Sequence, residues 1–190
     1  MIQILENILP LPIAVAASNS IPDKDWQWWH RYNNKDCIKY GSVDHLRFPN
    51  PCKLAIELLA IESSKKLNLD RSIFPDLDFY AGGMHMLPPN GWLGGHYDAE
   101  YHPLYNWKRV GSLVWFANPV WEEGWGGQLI IDATRILPKF NTAVYFDTDK
   151  CWHEVLKNTG PEYRKTFAIF FWEKVEAIPI NVCKNSKFEK

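Results

Sequence analysis

Between residues 50 and 68 the apolar positions recur at helical spacing. Leu54, Leu58 and Ile61 step forward with Lys65, and Ala55 and Leu59 widen the stripe. Asn50-Pro51 sets a capping residue before a proline at the first helical position, so a helix over 50–68 is expected, its stripe lying against a sheet. From residue 78 the pattern switches. Short runs rich in Val, Ile, Phe, Tyr and Trp occupy 79–87, 110–118, 127–132, 142–147, 151–156 and 163–175, with turn residues such as Pro88-Pro89-Asn90-Gly91 between them. No helical pattern interrupts these runs, which predicts an all-β sandwich or jelly roll rather than a βαβ sheet.

The opening of the chain is less regular. Residues 2–17 are apolar but broken by Pro10 and Pro12; 13–17 read as a short strand, ended by Ser18-Asn19-Ser20. Trp28, Trp29 and Tyr32, with Trp26 before them, fit one face of a short helix, which favours core packing over a substrate cage. Residues 67–78 read as a connector. One domain over 1–190 is expected: helical and strand support in 1–77, a jelly-roll core in 78–175 and a tail in 176–190.

Composition narrows the partners. A 46% hydrophobic content over 190 residues supports a core that folds alone. With 21 basic and 22 acidic residues, net charge −1 and no basic block, neither nucleic acid nor an anionic membrane is an expected partner. Glu6, the two prolines and the lack of a basic start argue against a signal peptide or a membrane span. Cys37, Cys52, Cys151 and Cys183 form no C-x-x-C pair, which speaks against a disulfide framework or structural zinc and for a reducing, cytoplasmic location. Oligomeric state is not legible.

Candidate chemistry centres on Gly94-Gly95-His96-Tyr97-Asp98. Side chains two apart on a strand share a face, so His96 and Asp98 converge while Tyr97 points away. His153, within an apolar strand-like run, brings a second imidazole; as a plain core histidine it would instead need a buried partner. Two histidines and one carboxylate leave three positions of an octahedral ion open, the arrangement of non-haem Fe(II) oxygenases.

Taken in order, His96-Tyr97-Asp98, the Trp125-Gly126-Gly127-Gln128-Leu129 run, the strand at 143–147, His153-Glu154-Val155, and Arg164-Lys165-Thr166 followed by Phe170-Phe171-Trp172 resemble the Fe(II)/2-oxoglutarate-dependent dioxygenases, most nearly the prolyl 4-hydroxylase-like branch. The resemblance covers about residues 78–173. It implies a mainly β fold, a double-stranded β-helix or distorted jelly roll with supporting N-terminal α-helices, and Fe(II), 2-oxoglutarate and O2 as the reacting set; it also admits ascorbate as an accessory reductant. Carried over by position, His96, Asp98 and His153 match the iron ligands, and Arg164 matches the cation that pairs with the distal carboxylate of 2-oxoglutarate. A guanidinium offers a carboxylate a planar fork, and Thr166, on the same strand face, adds a hydroxyl. A solvated strand-end arginine is the alternative. Collagen-type enzymes usually place lysine here, which weakens a collagen assignment. Tyr80 stands for a tyrosine that touches 2-oxoglutarate in relatives, but lies farther upstream, with 88–95 inserted; His85 or Met86 can take that space. Asn118 resembles a position near the co-substrate, or simply forms the turn before Pro119.

Residues 88–93, 100–108 and 118–126 are expected to rim the iron, with Trp92, Tyr101, Tyr105, Trp107, Trp121 and Trp125 as substrate contacts. Their rings suit a peptidyl proline or another small hydrophobic unit, and Glu122 and Glu123 would tolerate a cationic one. The expected activity is oxidation of a prolyl or other peptidyl residue, or of a free amino acid, coupled to decarboxylation of 2-oxoglutarate to succinate, with no protein acid or base beyond the metal ligands. Two other classes use fewer of these residues. A cupin-like metal dioxygenase or isomerase has no task for Arg164, and a catalytically silent peptide- or sugar-binding barrel has no need of convergent His, Asp and His.

Overall fold

The computed structural model describes residues 1–76, 79, 82–148 and 151–178. In chain order its elements are β1 (Ile2–Leu5), α1 (Leu11–Ser20), β2 (His30–Asn33), β3 (Cys37–Ser42), α2 (Asn50–Lys66), β4 (Ile73–Pro75), β5 (Gly83–Leu87), β6 (Trp92–His96), β7 (Trp107–Phe116), β8 (Leu129–Ile131), β9 (Thr134–Ile136), β10 (Ala143–Asp147), β11 (His153–Val155) and β12 (Arg164–Lys174). The strands pair in the order β1-β10-β7-β12-β5-β3-β6-β11-β8-β9, with β2 on β3 and β4 on β12, and every pairing is antiparallel. The sheet curls into a half-barrel of jelly-roll type, as the run of short strands predicts.

Alternation sorts the side chains into two cores. On β12, Phe167, Ile169 and Phe171 point outward and pack with Met84, Met86, Leu113 and Trp115 against Ala55, Ile56 and Leu59 of α2 and Ala14 and Ala17 of α1. Inside the curl, Leu87, Phe116, Leu129, Ile131, Val144, Phe146 and Val155 form a second cluster. Arg164 and Thr166 share this inner face of β12, each nearly sealed from solvent.

Two strands break the alternation. On β11, His153 and Val155 are two apart, yet they pair with His96 and Leu93, which are three apart on β6. On β12, Phe170 and Trp172 are two apart but pair with Ser112 and Arg109 on β7. Each is a bulge, one extra residue that resets which face the following side chains take. Gly94-Gly95 supplies the first, and the indole of Trp152 lies where a Gly95 side chain would stand.

Several expectations give way to packing. Residues 13–17 are helical, not a strand: Pro12 sits in the first turn of α1, and alanines at 14, 16 and 17 favour the helix. The Trp-rich stretch is not a helix but a pair of turns leading into β2, with the Trp29 indole donating to the Asp23 carbonyl at 2.7 Å. The stripe of α2 is rotated from the predicted one. Cys52, Ala55, Ile56, Leu59, Ala60 and Ser63 face inward, while Leu54 and Ile61 are 43% and 48% exposed. Small residues let α2 approach α1 closely, the Cys52 thiol reaching the Ala17 carbonyl at 3.6 Å, where a leucine would hold the helices apart. The connector contains β4. From the N-terminal part, β3 is inserted between β5 and β6 and forms part of the inner wall. No helix among the described residues is long and apolar enough to cross a membrane. Cys37, Cys52 and Cys151 are buried and form no disulfide with one another; Cys183 and the rest of 179–190 lie outside the described residues.

Candidate metal centre

His96 ends β6, and His153 begins β11 directly across the ladder from it, so pairing alone sets the two imidazoles side by side with ring centroids 4.3 Å apart. Asp98 follows just beyond the end of β6 rather than within a strand, and still turns inward. Its Oδ1 lies 3.8 Å from Nε2 of His96 and 3.8 Å from Nε2 of His153. The three donor atoms are within 4.8 Å of one another, which is the spacing of a site able to hold one metal ion. Tyr97 points away, 59% exposed, with its ring edge-on to Trp152.

Each donor is held from behind. Nδ1 of His96 lies 2.8 Å from the Gly94 carbonyl and Nδ1 of His153 lies 3.2 Å from the Cys151 carbonyl. A carbonyl only accepts, so both rings carry their proton on Nδ1 and aim the Nε2 lone pair at the centre, as metal-ligating histidines do. Burial pushes the His153 imidazole below its ordinary value, with Asp98 opposing, which favours the neutral ring that ligation needs. Asp98 Oδ2 accepts from the Ser112 hydroxyl at 2.8 Å and pairs with Nη1 of Arg109 at 3.2 Å, leaving Oδ1 for the ion. Burial works to raise the Asp98 carboxyl, yet Arg109, His153, the Ser112 hydroxyl and His96 together hold it below the ordinary carboxylate range. Arg109 is itself sealed, its guanidinium carbon 3.7 Å from the Phe170 ring centroid and 4.8 Å from that of Trp172.

A second buried cation lies on β12. Arg164 is 2% exposed, and its Nε and Nη2 have no hydrogen-bond partner among the described residues. Burial alone pulls its pKa down to about 9, and the nearest aromatic face is Phe116, 5.2 Å from the guanidinium carbon. An unpaired buried cation costs several kcal/mol, and no described residue supplies an anion to Arg164. Both halves therefore fit Fe(II) and 2-oxoglutarate: an N,N,O donor set preset in tautomer, and a carboxylate-shaped deficit beside it. Asn118 bonds the backbone on both sides of Arg164. Its amide donates to the Tyr163 carbonyl at 2.8 Å and its oxygen accepts from the Lys165 amide at 2.6 Å, bracketing Arg164 from both chain neighbours. Tyr80 lies outside the described residues. The space beside Thr166 is His85, its partner across the β5–β12 ladder.

Of the aromatic residues expected at the rim, Trp121 lies on the Arg164 side of the curl, across Gly127. A Cβ on Gly127 would stand 2.9 Å from the Trp121 ring and 3.1 Å from Cδ of Arg164, so the bare Gly127 backbone, at φ +66°, lies between the two. Trp125 meets Trp121 edge-on at 5.5 Å and packs over Gly160. Trp92 alternates with the inward Leu93 and so faces the other side of β6. Trp107 packs against Phe74, Tyr105 and His102 at centroid distances of 4.8, 4.4 and 5.1 Å, and Tyr101 bridges back to Lys108. That loop folds onto β12 because Trp172 and the buried Asp76–His102 contact offer it a surface.

Arg109 and Ser112 carry no local signal in the sequence. Three apart on a strand, they would be assigned to opposite faces, and only the bulge brings both to Asp98. Arg109→Met, which keeps the volume but removes the charge, is expected to weaken Fe(II) or Mn(II) binding about 10- to 100-fold by freeing Oδ2. Titration calorimetry with Mn(II) measures this, and unchanged affinity would show that Asp98 needs no such clamp.

Residues 82–172 match the model of the 2OG-Fe(II) oxygenase superfamily, which places this part of the chain in that superfamily. Solved structures of similar fold include several prolyl hydroxylases. A Pseudomonas putida prolyl-4-hydroxylase superposes with a TM-score of 0.64 at 17% identity, covering 93% of each chain. The viral collagen prolyl hydroxylase of Paramecium bursaria Chlorella virus-1, solved with 2-oxoglutarate, gives 0.62 at 16% identity over 90% of this chain and 96% of that one. A Trichoplax adhaerens prolyl hydroxylase, in complex with an oxygen degradation domain peptide fragment of hypoxia inducible factor, gives 0.64 at 15% identity over 91% and 83%. At these identities the likeness is one of fold. No curated protein matches the sequence.

Proposed function

We propose that the protein is an Fe(II)- and 2-oxoglutarate-dependent hydroxylase acting on a prolyl or other peptidyl residue, or on a free amino acid, with release of succinate. The observation that carries this reading is Arg164: a sealed guanidinium with two free nitrogens, on the inner wall that also holds the His96, Asp98, His153 set. Bound Fe(II) with 2-oxoglutarate and O2 supplies the oxidising equivalents for C–H hydroxylation. The chain's own residues do the placing. His96, His153 and Oδ1 of Asp98 would hold the ion, Arg164 would grip the far carboxylate of 2-oxoglutarate, and Thr166 would add a hydroxyl on the same face. Phe116 packs on the Arg164 guanidinium, and burial of that end strengthens the ion pair. A peptide substrate is supported by the peptide held by the Trichoplax adhaerens enzyme.

The test is succinate release by iron-loaded protein, with ascorbate present, across prolyl peptides, other short peptides and free amino acids. A second measurement addresses the aromatic wall. Trp121→Ala is expected to lower the substrate-coupled part of succinate release several-fold, whereas Trp92→Ala and Trp107→Ala leave it near wild type, because those rings face elsewhere. Equal coupling in all three variants would remove Trp121 from the site.

A further inference from the structure

The inner wall holds a second cation that the oxygenase reading leaves without a task. β3 lies between β5 and β6, and its register fixes which side chains enter the curl. Cys37 pairs with Leu93, which packs in the inner cluster, and Gly41 pairs with His85, which in turn pairs with the inward Thr166. A Cβ on Gly41 would stand 3.6 Å from the His85 ring. Lys39, midway between Cys37 and Gly41, therefore enters the same space, while Tyr40 packs on the helix side. The lysine is partly buried, its Nζ 5.5 Å from the ring centroid of Tyr32 on the neighbouring β2. No carboxylate of the described residues pairs with it. Burial lowers its pKa, and besides the Cys37 thiol the group whose charge opposes this is Asp98, already taken by Arg109, Ser112 and the metal position.

Charge balance says what is missing. Arg109 answers Asp98, Arg164 answers the far carboxylate of 2-oxoglutarate, and a divalent ion more than answers the near one. The interior is electropositive before Lys39 is counted. Resting on the oxygenase reading, we propose that Lys39 recognises a carboxylate of the primary substrate, so that the enzyme selects acidic substrates: a free or N-acylated amino acid, or a peptide with a carboxylate close to the oxidised carbon. An uncharged prolyl ring alone would leave the ammonium unanswered. Glu122 and Glu123, which suggested tolerance of a cation, are exposed and outside this space.

The same chemistry is present in 2-oxoglutarate, so the experiment separates the two sources. Mn(II)-loaded full-length protein, saturated with 2-oxoglutarate, is titrated with N-acetyl-L-proline and N-acetyl-L-leucine and with the carboxamide of each, following Mn(II)-enhanced relaxation of the probe protons. Carboxylates are expected to bind about tenfold more tightly than carboxamides, as one charge-assisted hydrogen bond implies. Lys39→Met should erase that preference, Lys39→Arg should retain most of it, and both should keep wild-type affinity for 2-oxoglutarate and wild-type melting. Equal binding of acids and amides by wild type, or an unchanged preference in Lys39→Met, overturns the proposal. Loss of 2-oxoglutarate affinity in Lys39→Met overturns it too, by giving the lysine to the co-substrate. Failure of the oxygenase reading shows separately, as Mn(II)-loaded wild type that binds no 2-oxoglutarate; the relaxation signal needs no turnover, so the preference is still read.

Discussion

Asp98→Asn and His153→Ala are each expected to lower Fe(II) affinity by at least about a hundredfold and to abolish succinate release. Asparagine keeps the shape of Asp98 and can still accept from Ser112, but it presents a neutral oxygen to the ion and leaves Arg109 buried without its counter-charge. Loss of that counter-charge costs about 3 to 5 kcal/mol, so this variant should also melt lower. His153→Ala separates the two effects. The ring is buried and neutral, and its removal takes away a ligand without stranding a charge. Iron per chain after desalting, measured beside the melting curve, checks both. If either variant keeps full iron and full turnover, the donor set is misassigned.

Arg164→Met is expected to raise the 2-oxoglutarate requirement about ten- to a thousandfold and to leave metal binding intact, since a charge-assisted bond is worth about 1.5 to 3 kcal/mol and the fork can make two. Its effect on the empty protein has the opposite sign. Wild type carries a sealed guanidinium with unpaired nitrogens. Methionine fills similar volume without the charge, so the variant should melt no lower than wild type and should lose the stabilisation that 2-oxoglutarate with Mn(II) confers. A thermal shift assay with and without those ligands reads both. A variant that melts lower when empty yet keeps its 2-oxoglutarate response would make Arg164 a structural residue and would favour a metal enzyme that does not use this co-substrate.

The convergence of His96, Asp98 and His153 was legible because His-x-Asp is a local pattern and because the order of motifs up to Arg164 resembles a family. The β core was legible from apolar runs separated by turn residues, since strands such as 143–147 and 164–174 pack both faces with mostly apolar side chains. What escaped has a common cause. Arg109 and Lys39 acquire meaning only from strands distant in sequence, Arg109 from Asp98 and β12, Lys39 from β5 and β6. Trp92 and Trp107 were expected at the rim because their segments flank ligand-bearing strands, but strand phase turns one away and a buried His102–Trp172 contact draws the other onto β12. α1 was misread because an apolar run with one β-branched residue at each of positions 13 and 15 resembles a strand, and the helix signal lay in Pro12 and the intervening alanines. The stripe of α2 was misplaced because spacing favours the largest apolar residues, whereas close helix packing favours the smallest.

The two bulges give the centre an unusual kind of fragility. Leu93 to His96 and Arg109 to Ser112 each span one residue more than the strand opposite, and that surplus is what turns an imidazole and a guanidinium toward the same carboxylate. Chain length in these two short spans therefore carries information that no single residue holds. Loss of one residue at either place would restore strict alternation and rotate a wall of the site outward, with every ligand still present in the written sequence. Comparison of such chains by motif alone overlooks this, because the decisive variable is the parity of a spacer.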